Sequence, residues 1–370
     1  MEKIFPDDVL SKRERIERTL DHRPVDRVAL HEQLSYNPAV IARHTGKRIE
    51  GFGYTLEDIC ATIRRTLDIC FFPVAPRGTA RVTDEAGFVT QHDNWTSWHV
   101  SRPFTDEAGA RDWLAKETEK IREATFDPEK ERMPYREELL DLQRKVGETV
   151  LWPFSATGFC GVFDAMGLEL FSYFYADYPD VMHAFMEVSA EREVQRVHAV
   201  ADRTIFPVVL IAEDFATKHG PIFRHEVLEQ VHYPHVRRLT EAWHSHDIKV
   251  IYHSDGNYRK AIPDLMACGV DGFYCLEPNC GMDIVALKNT CPDMVWAGGV
   301  DGVDLMERGT PEQVRGEVHR HIRETHALKT GGMLVATSSE INPPIPPENF
   351  EAMVGAVGEL RNREMRRNTP

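Results

Sequence analysis

Short apolar runs rich in β-branched residues recur along the chain and alternate with segments of helical pattern. The pattern predicts eight strands, at residues 26–33, 68–75, 149–156, 206–214, 248–255, 271–278, 294–301 and 331–339. Most of these runs are almost continuously apolar, as expected for parallel strands that helices cover, and most end in polar residues. Eight strands that alternate with helices predict a parallel (β/α)8 TIM barrel.

Helix start signals support this alternation in the second half of the chain. Residues 257–269, 281–291 and 309–326 have helical patterns between the predicted strands. In the third segment, Thr310 is placed to be the N-cap, Pro311 occupies the first helical position, and Gln313 completes a capping box. We therefore expect a helix to begin at Pro311.

The interval between the second and third strands is too long for a simple crossover. Alternating residues over 80–100, with a turn at 84–87, predict a β-hairpin, and the charged segment 106–124 predicts a helix. We expect residues 76–147 to form an insertion over the mouth of the barrel, where loops carry function. The prediction is one domain, residues 1–370, with this insertion.

Composition narrows the class of function. The 370 residues are 42% hydrophobic, and 44 Lys and Arg face 59 Asp and Glu, a net charge of -15. This charge argues against binding to nucleic acids or anionic membranes. There is no apolar run of the roughly 20 residues that a membrane span needs, and the charged start lacks a signal-peptide core. We expect a cytoplasmic enzyme that acts on a small molecule.

Cysteine usage adds little to this picture. The seven cysteines are an odd number without paired CxxC spacing, which predicts neither a disulfide framework nor a structural zinc ribbon. We expect them to be thiols, most of them buried.

Polar residues at the carboxyl ends of the strands are the first candidates for chemistry, because the active sites of such barrels lie at that face. The candidates are His31, Glu32, Glu213, Asp214, His253, Asp255, Glu277, Asp301, Ser338, Ser339 and Glu340.

His253 and Asp255 end the fifth predicted strand in "VIYHSDGN". Side chains of a strand alternate, so both are predicted to point to the same side. An imidazole and a carboxylate in this arrangement can bind a divalent metal or can position the histidine for acid-base catalysis. The alternative is that Asp255 caps the next helix and His253 is only hydrogen bonded.

Asp214 ends the fourth strand directly after Glu213, and one of the two is expected to point inward. Capping of the following turn is the structural alternative. Lys218 and Arg224, further along, are candidates to meet an anionic group on a substrate.

Glycines at 298–302 and 331–332 suggest either tight packing or a phosphate site. The aromatic residues Trp95, Trp98, Phe154, Phe159 and Phe163 could line an apolar pocket or belong to the core.

Several segments resemble the uroporphyrinogen decarboxylase superfamily, which includes the corrinoid-dependent methyltransferases. They are "RIERTLDHRPVDRVAL", "FGYTLEDICATIRRTLDICFF", "GFCGVFDAMGLELFSYFYADYPDVMHAFM", "HSDGN", "EPNCGMDIVALKN", "GGVDGVDLMERGTPEQVRGEV" and "PPENFEAM". The resemblance covers most of the chain, is strongest over about 150–355, and implies the same barrel.

The chain departs from the tetrapyrrole decarboxylases of this superfamily. Their arginine-bearing R-Q-A-G-R segment near the first strand, and an aspartate after the second strand, have no counterpart in "HEQLSYNPAVIARHTGKR" or "DICFFPVAP". The resemblance therefore implies a reaction other than uroporphyrinogen decarboxylation.

The methyltransferase branch is similar to the chain at the fifth strand. Relatives there have H-x-C-G-N, and a cysteine after the eighth strand, to hold a zinc ion. His253, Gly256 and Asn257 match, whereas Asp255 and Ser339 stand where those proteins have cysteine. A carboxylate in place of a thiolate implies a harder metal site, or one without metal, and a leaving group other than coenzyme M.

The expected function is transfer of a methyl group from a small O- or N-methylated compound to a corrinoid protein or cobalamin. His253, Asp255 and Asp214 are the expected catalytic residues; Lys218, Arg224, Asn257, Glu277 and Asp301 are expected to bind substrate. His253, Asp255 and Glu340 are expected to hold zinc or another divalent ion. A corrinoid protein is the expected partner, and a homodimer is left open. The alternatives are a decarboxylase or lyase for a carboxylated aromatic or tetrapyrrole, and a non-catalytic barrel that binds a corrinoid or another ligand.

Overall fold

Eight short strands form the centre of the computed structural model, which describes residues 4–367, with side chains to residue 365. We label them β1 to β8: Ala29–Leu30, Ile69–Cys70, Val150–Leu151 with Phe154–Ser155, Val208–Ala212, Lys249–His253, Gly272–Tyr274, Val295–Val300 and Met333–Thr337. Each lies within a predicted strand, so all eight predictions are confirmed in position.

The eight strands are parallel and hydrogen bonded in sequence order. β3 to β8 and β1 form one seven-stranded sheet, and β2 pairs with the first part of β3. A parallel bridge between His31 and Ile69 joins β1 to β2. β3 is interrupted because Pro153 has no N–H to donate, although its carbonyl accepts from Leu210 N at 2.9 Å. This arrangement is the α/β TIM-barrel fold.

Helices connect the strands and cover the sheet. Their bounds are Lys12–Leu20, Pro38–Thr45, Leu56–Thr66, Glu107–Glu123, Pro128–Val146, Phe159–Met166, Leu168–Asp177, Pro179–Val200, His225–Val231, Tyr233–His244, Ile262–Ala267, Ile284–Thr290, Pro311–Glu324, Ala327–Thr330, Pro347–Glu359 and Arg363–Arg367. The helix from Pro311 begins with the predicted capping box between Thr310 and Gln313. In the described part of the chain, no helix has the length and apolar character that a membrane crossing requires.

The insertion after β2 contains three antiparallel strands, where the sequence predicted a hairpin. Ala80–Thr83 pairs with Val89–His92, which also pairs with Ser97–Ser101. The extra strand follows a second tight turn, closed by hydrogen bonds between Asp93 and Thr96 in both directions. The helix Glu107–Glu123 that comes next confirms the predicted one.

A buried ion network fixes the amino-terminal side of β1 and β2. Arg15 and Arg27 both donate to the Asp68 carboxylate, at 2.6 to 2.8 Å. Asp68 also accepts from Leu30 N at 2.9 Å, and Arg15 reaches Asp26 at 2.8 Å. These contacts tie the first helix to both strands. The two guanidinium groups hold the pKa of Asp68 well below its usual range, against the effect of burial.

Replacement of Asp68 by asparagine is expected to lower the free energy of unfolding by about 3 kcal/mol, because two buried guanidinium groups lose their shared carboxylate. Urea unfolding at neutral pH measures this. The control is Asp304→Asn, which breaks an exposed pair with Arg308 and should cost less than about 1 kcal/mol. Because the pKa of Asp68 is lower in the folded than in the unfolded state, its carboxylate stabilises the fold at pH values above the unfolded-state pKa, near 3.9. The difference in free energy of unfolding between Asp68→Asn and the unmodified protein should therefore shrink as the pH falls below that value. Equal costs for the two variants would contradict this role.

Candidate functional site

The hydrogen-bond register of β4, β5 and β6 brings the carboxyl ends of these three strands together. In the ladder of β4, β5 and β6, Ala212 lies beside His253, and His253 lies beside Tyr274. The chain then continues to Asp214, Asp255 and Cys275 respectively, at the carboxyl end of the barrel. Polar side chains that are far apart in sequence therefore meet where three parallel strands end.

His253 lies between two carboxylates. Its Nε2 is 3.3 Å from Asp214 Oδ1 and 3.9 Å from Asp255 Oδ1. Burial lowers the pKa of His253, but the contact with Asp214 and the charges of Asp255 and Glu340 outweigh it, so that the pKa is raised. The His253 Nδ1 atom is buried and has no hydrogen-bond partner. The imidazole is therefore held close to two carboxylates and retains an unused nitrogen.

The two carboxylates are held differently. Asp214 Oδ1 accepts from Asp255 N at 2.8 Å. Burial raises the pKa of Asp214, but the hydrogen bond with His253 and the charge of His253 outweigh burial, so that this pKa is lowered. Burial raises the pKa of Asp255, and the charge of Asp214 adds to this, against the opposing charge of His253. Asp214 is thus the carboxylate that pairs with His253, and Asp255 the one that protonates more readily.

Strand alternation decides between Glu213 and Asp214. Leu210, Ala212 and Asp214 all line the same cavity. Glu213 points the other way and is buried, where its carboxylate accepts from the backbone N–H groups of Thr157, Gly158 and Cys160 and from the Thr157 hydroxyl. Glu213 therefore caps the start of the helix Phe159–Met166, and Asp214 is the residue that reaches the site.

Cys275 is the site residue that the sequence did not reveal. It follows Tyr274, and strict alternation would point the two side chains in opposite directions. Its φ of 40°, rare for a residue other than glycine, breaks the alternation, and both residues line the cavity. The thiol donates to Ser338 O at 3.0 Å, and burial raises its pKa well above the usual value. Backbone strain of this kind clusters at functional sites.

His253, Asp255 and Cys275 offer donor atoms that suit a metal ion. One atom of each lies within 4.8 Å of the other two. Imidazole nitrogen, carboxylate oxygen and thiolate sulfur are the donors that zinc takes in proteins. This set keeps the predicted His253 and Asp255 and brings in Cys275. Glu340, the third ligand predicted from the sequence, lines the same cavity but is not in the set.

The cavity over these residues has a volume of about 240 Å³. One side is apolar and aromatic, formed by Phe71, Phe154, Leu210, Ala212 and Tyr274. The other is polar, formed by Gln33, Cys160, Asp214, His253, Asp255, Cys275, Ser338, Ser339 and Glu340. Of the aromatic residues predicted as a pocket wall, Phe154 is confirmed as a lining residue, while Phe159 belongs to the core.

The "HSDGN" turn depends on a close backbone approach. Gly256 has a φ of +78°, and a Cβ there would lie 2.7 Å from the carbonyl oxygens of Ala216 and Thr217. The Gly256 N–H donates to Glu277 Oε1 at 2.5 Å, and Asn257 N donates to Thr217 O at 2.8 Å. Gly256, Asn257 and Glu277 therefore hold the turn that carries Asp255.

Other predicted residues lie outside this cavity. Asp301 Oδ1 accepts from Val303 N and Asp304 N and so caps its own turn. Lys218 is exposed, and Arg224 precedes the helix His225–Val231 at a different surface pocket. Substrate binding by Lys218, Arg224, Asn257, Glu277 and Asp301 stays a prediction that this cavity does not support. A Cβ at Gly298 would lie 2.7 Å from Leu276 N, so that close packing accounts for this glycine without a phosphate site.

His31 belongs to the barrel core. Its ring packs edge-on against Phe71, Trp152 and Tyr274, with centroids 4.4 to 5.2 Å apart. Nδ1 lies 3.1 Å from Ile69 O, and burial lowers the pKa of His31 to about 3. His31 is therefore a neutral packing residue beneath the cavity.

Glu32 is buried behind the end of β8. Its carboxyl group contacts Thr337 N at 2.6 Å and the Thr337 hydroxyl at 2.7 Å, and that hydroxyl also contacts Ser339 O. The hydroxyl has one proton for two acceptors. A proton on Glu32 satisfies both contacts, since Glu32 then donates to the hydroxyl and the hydroxyl donates to Ser339. Burial raises the pKa of Glu32 to about 8, in agreement with a neutral acid.

A parallel eight-stranded barrel with a polar cavity at the carboxyl strand ends is the class of scaffold that enzymes use. The chain belongs to the uroporphyrinogen decarboxylase (URO-D) family, whose model matches residues 114–360. Membership in this family indicates an enzyme. A comparison with curated proteins finds no match.

One solved structure shares the fold over most of its length. A methyltransferase from Methanosarcina mazei has a TM-score of 0.65 and 16% identity, with 95% of this chain and 99% of that one covered. A chitinase from Chromobacterium violaceum has a TM-score of only 0.40 and 9% identity, with 89% of this chain and 99% of that one covered. The first likeness confirms the barrel over nearly the whole chain.

Replacement of Glu32 by glutamine is expected to change how stability depends on pH. The folded state keeps the proton up to about pH 8, whereas the unfolded chain releases it near 4.3, so Glu32 makes stability fall as the pH rises between these values. Compared with the unmodified protein, Glu32→Gln should gain about 1 kcal/mol or more in free energy of unfolding between about pH 5 and about pH 8. Urea unfolding at both pH values measures this, with the exposed Glu123→Gln as control. Parallel pH profiles for Glu32→Gln and the unmodified protein would refute a neutral Glu32.

Proposed function

We propose that this protein transfers a methyl group from a small O- or N-methylated compound to the corrinoid of a partner protein or to cobalamin. The observation that carries the proposal is the placement of His253, Asp255 and Cys275, a group suited to acid-base chemistry or to holding a metal ion, at one wall of a small cavity whose other wall is apolar. The URO-D family and the methyltransferase fold neighbour support it.

The cavity wall suits this reaction physically. Phe71, Phe154 and Tyr274 can hold the apolar body of a methylated compound and exclude water from the methyl carbon. The heteroatom would then face His253 and the carboxylates. Cleavage of the carbon–heteroatom bond leaves the bonding pair on the heteroatom, and the methyl carbon takes an electron pair from the reduced corrinoid.

His253 is the proton source in this proposal. Its raised pKa favours an imidazolium, which can give a proton to the departing heteroatom, while Asp214 orients the ring at 3.3 Å. Asp255, 3.9 Å from Nε2, would stabilise the same charge. The role of Asp214 is therefore to position His253.

His253, Asp255 and Cys275 would instead hold zinc or a similar divalent ion when one is available. The donor set fits, since it combines nitrogen, oxygen and sulfur atoms that lie within 4.8 Å of one another. A bound ion of this kind supplies Lewis acidity toward a heteroatom. Asp214 and Glu340 would then remain as the free carboxylates of the cavity.

Decarboxylation is the second candidate, since it is the activity in the family's name. It needs a site for carboxylated substrates, and no Lys or Arg lines the cavity in the described part of the chain. Carbon dioxide release from carboxylated aromatic or tetrapyrrole acids is the measurement that would favour it over methyl transfer.

Incubation of the protein with reduced cobalamin and a panel of small O- and N-methylated compounds is expected to yield methylcobalamin, which absorbance measures. His253→Ala should lower the rate at least about 100-fold, because general acid catalysis is worth that much. The matched control is His244→Ala, which removes another histidine next to an aspartate, Asp271, at 2.7 Å. Methylcobalamin formation that does not exceed the His253→Ala level with any compound would reject the proposal.

A further inference from the structure

Acidic side chains outnumber basic ones around the cavity. Asp214, Asp255 and Glu340 line it, and His253 is the one basic side chain among the lining residues that the structure describes. The charge of His253 acts on Asp214, and the charges of His253, Asp214 and Glu277 act on Asp255. A ligand in this cavity therefore meets net negative charge.

A divalent ion does not reverse this sign. With a metal held by the Asp255 carboxylate and the Cys275 thiolate, those two charges are compensated, and Asp214 and Glu340 are left. Without the metal, three carboxylates outnumber the single His253 imidazolium. In both states the lining carboxylates give the cavity a net negative charge, and no lysine or arginine among the described lining residues is available to pair with a carboxylate on the ligand.

The apolar wall adds a preference of its own. Phe71 lies between Phe154 and Tyr274, with ring centroids 4.6 and 5.6 Å from theirs. Aromatic faces attract cations through the charge distribution of the ring, and an anionic site strengthens that attraction. Aromatic surface and negative charge in one small cavity favour ligands that carry a positive charge, or none.

We infer that the cavity selects cationic or neutral methylated compounds with a small aromatic body and rejects carboxylated ones. That the ligand carries a methyl group rests on the proposed function. The preference for a cationic or neutral ligand rests on the cavity alone. It departs from the anion-binding role that the sequence suggested for Lys218 and Arg224, since neither residue lines the cavity.

The test uses three compounds that differ in charge at one position: para-methoxybenzylamine, para-methoxybenzyl alcohol and para-methoxybenzoate. Isothermal titration calorimetry with the full chain, with and without added zinc, should rank them amine, alcohol, benzoate, with about tenfold in Kd between neighbours. Glu340→Gln should reduce the ratio of the affinity for the amine to the affinity for the benzoate about tenfold. Asp304→Asn, which changes an exposed acidic residue outside this cavity, should leave this ratio of affinities unchanged.

Tightest binding of the benzoate, equal binding of the three, or no binding of any of them would overturn the inference. An amine-to-benzoate affinity ratio that falls equally in Glu340→Gln and Asp304→Asn would also overturn the inference, since the selectivity would then come from the overall charge of the protein. Methyl transfer is measured separately on the same compounds. The expected ranking without methylcobalamin formation would reject the proposed function and keep the charge selectivity.

Discussion

The register of three neighbouring parallel strands is the constraint on which the site depends. Because Ala212, His253 and Tyr274 lie side by side, the residues that follow them reach one point above the barrel. A slip of one residue in β5 would turn His253 and Asp255 away from the cavity. The geometry of the candidate site is thus set by backbone hydrogen bonds, and its chemistry by the residues after the last of those bonds.

Other features of the fold support this register. The ion network around Asp68 fixes β1 and β2 at the opposite end, while the aromatic rings around His31 fill the interior below the cavity. Glu213 and Glu32 are buried carboxyl groups that hold the segments after β3 and β8. Acidic groups near the site thus divide into those that support loops and those that face the ligand.

Much of this could be predicted from the sequence because it follows from periodicity. Near-continuous apolar runs located all eight strands, and period two placed His253 and Asp255 on one side. Period two could also have separated Asp214 from Glu213, had the end of β4 been known. Cys275 could not be predicted, since its orientation depends on a positive φ that no side-chain pattern encodes. The extra strand Ser97–Ser101 was missed because only the turn at 84–87 was recognised, although Asp93 and Asn94 also favour a turn.

The likeness to corrinoid methyltransferases made Asp255 look like the loss of a thiolate ligand. The structure brings the Cys275 thiol from the next strand to the same place, so that sulfur is available beside the carboxylate. A mixed nitrogen, oxygen and sulfur site differs from one with two thiolates, since the carboxylate leaves a bound ion more electrophilic. Such an ion suits the release of an oxygen or nitrogen leaving group.

X-ray absorption at the zinc edge, on protein loaded with one equivalent of zinc, tests the central claim that His253 and Asp255 at the end of β5 and Cys275 at the end of β6 form one site. The account predicts one sulfur at about 2.3 Å with nitrogen and oxygen neighbours, and loss of that sulfur in Cys275→Ser. Cys268→Ser is the matched control, because Cys268 is also a buried thiol that donates to a backbone carbonyl, Tyr233 O at 3.3 Å. A zinc environment without sulfur, or one that Cys275→Ser leaves unchanged, would contradict the account.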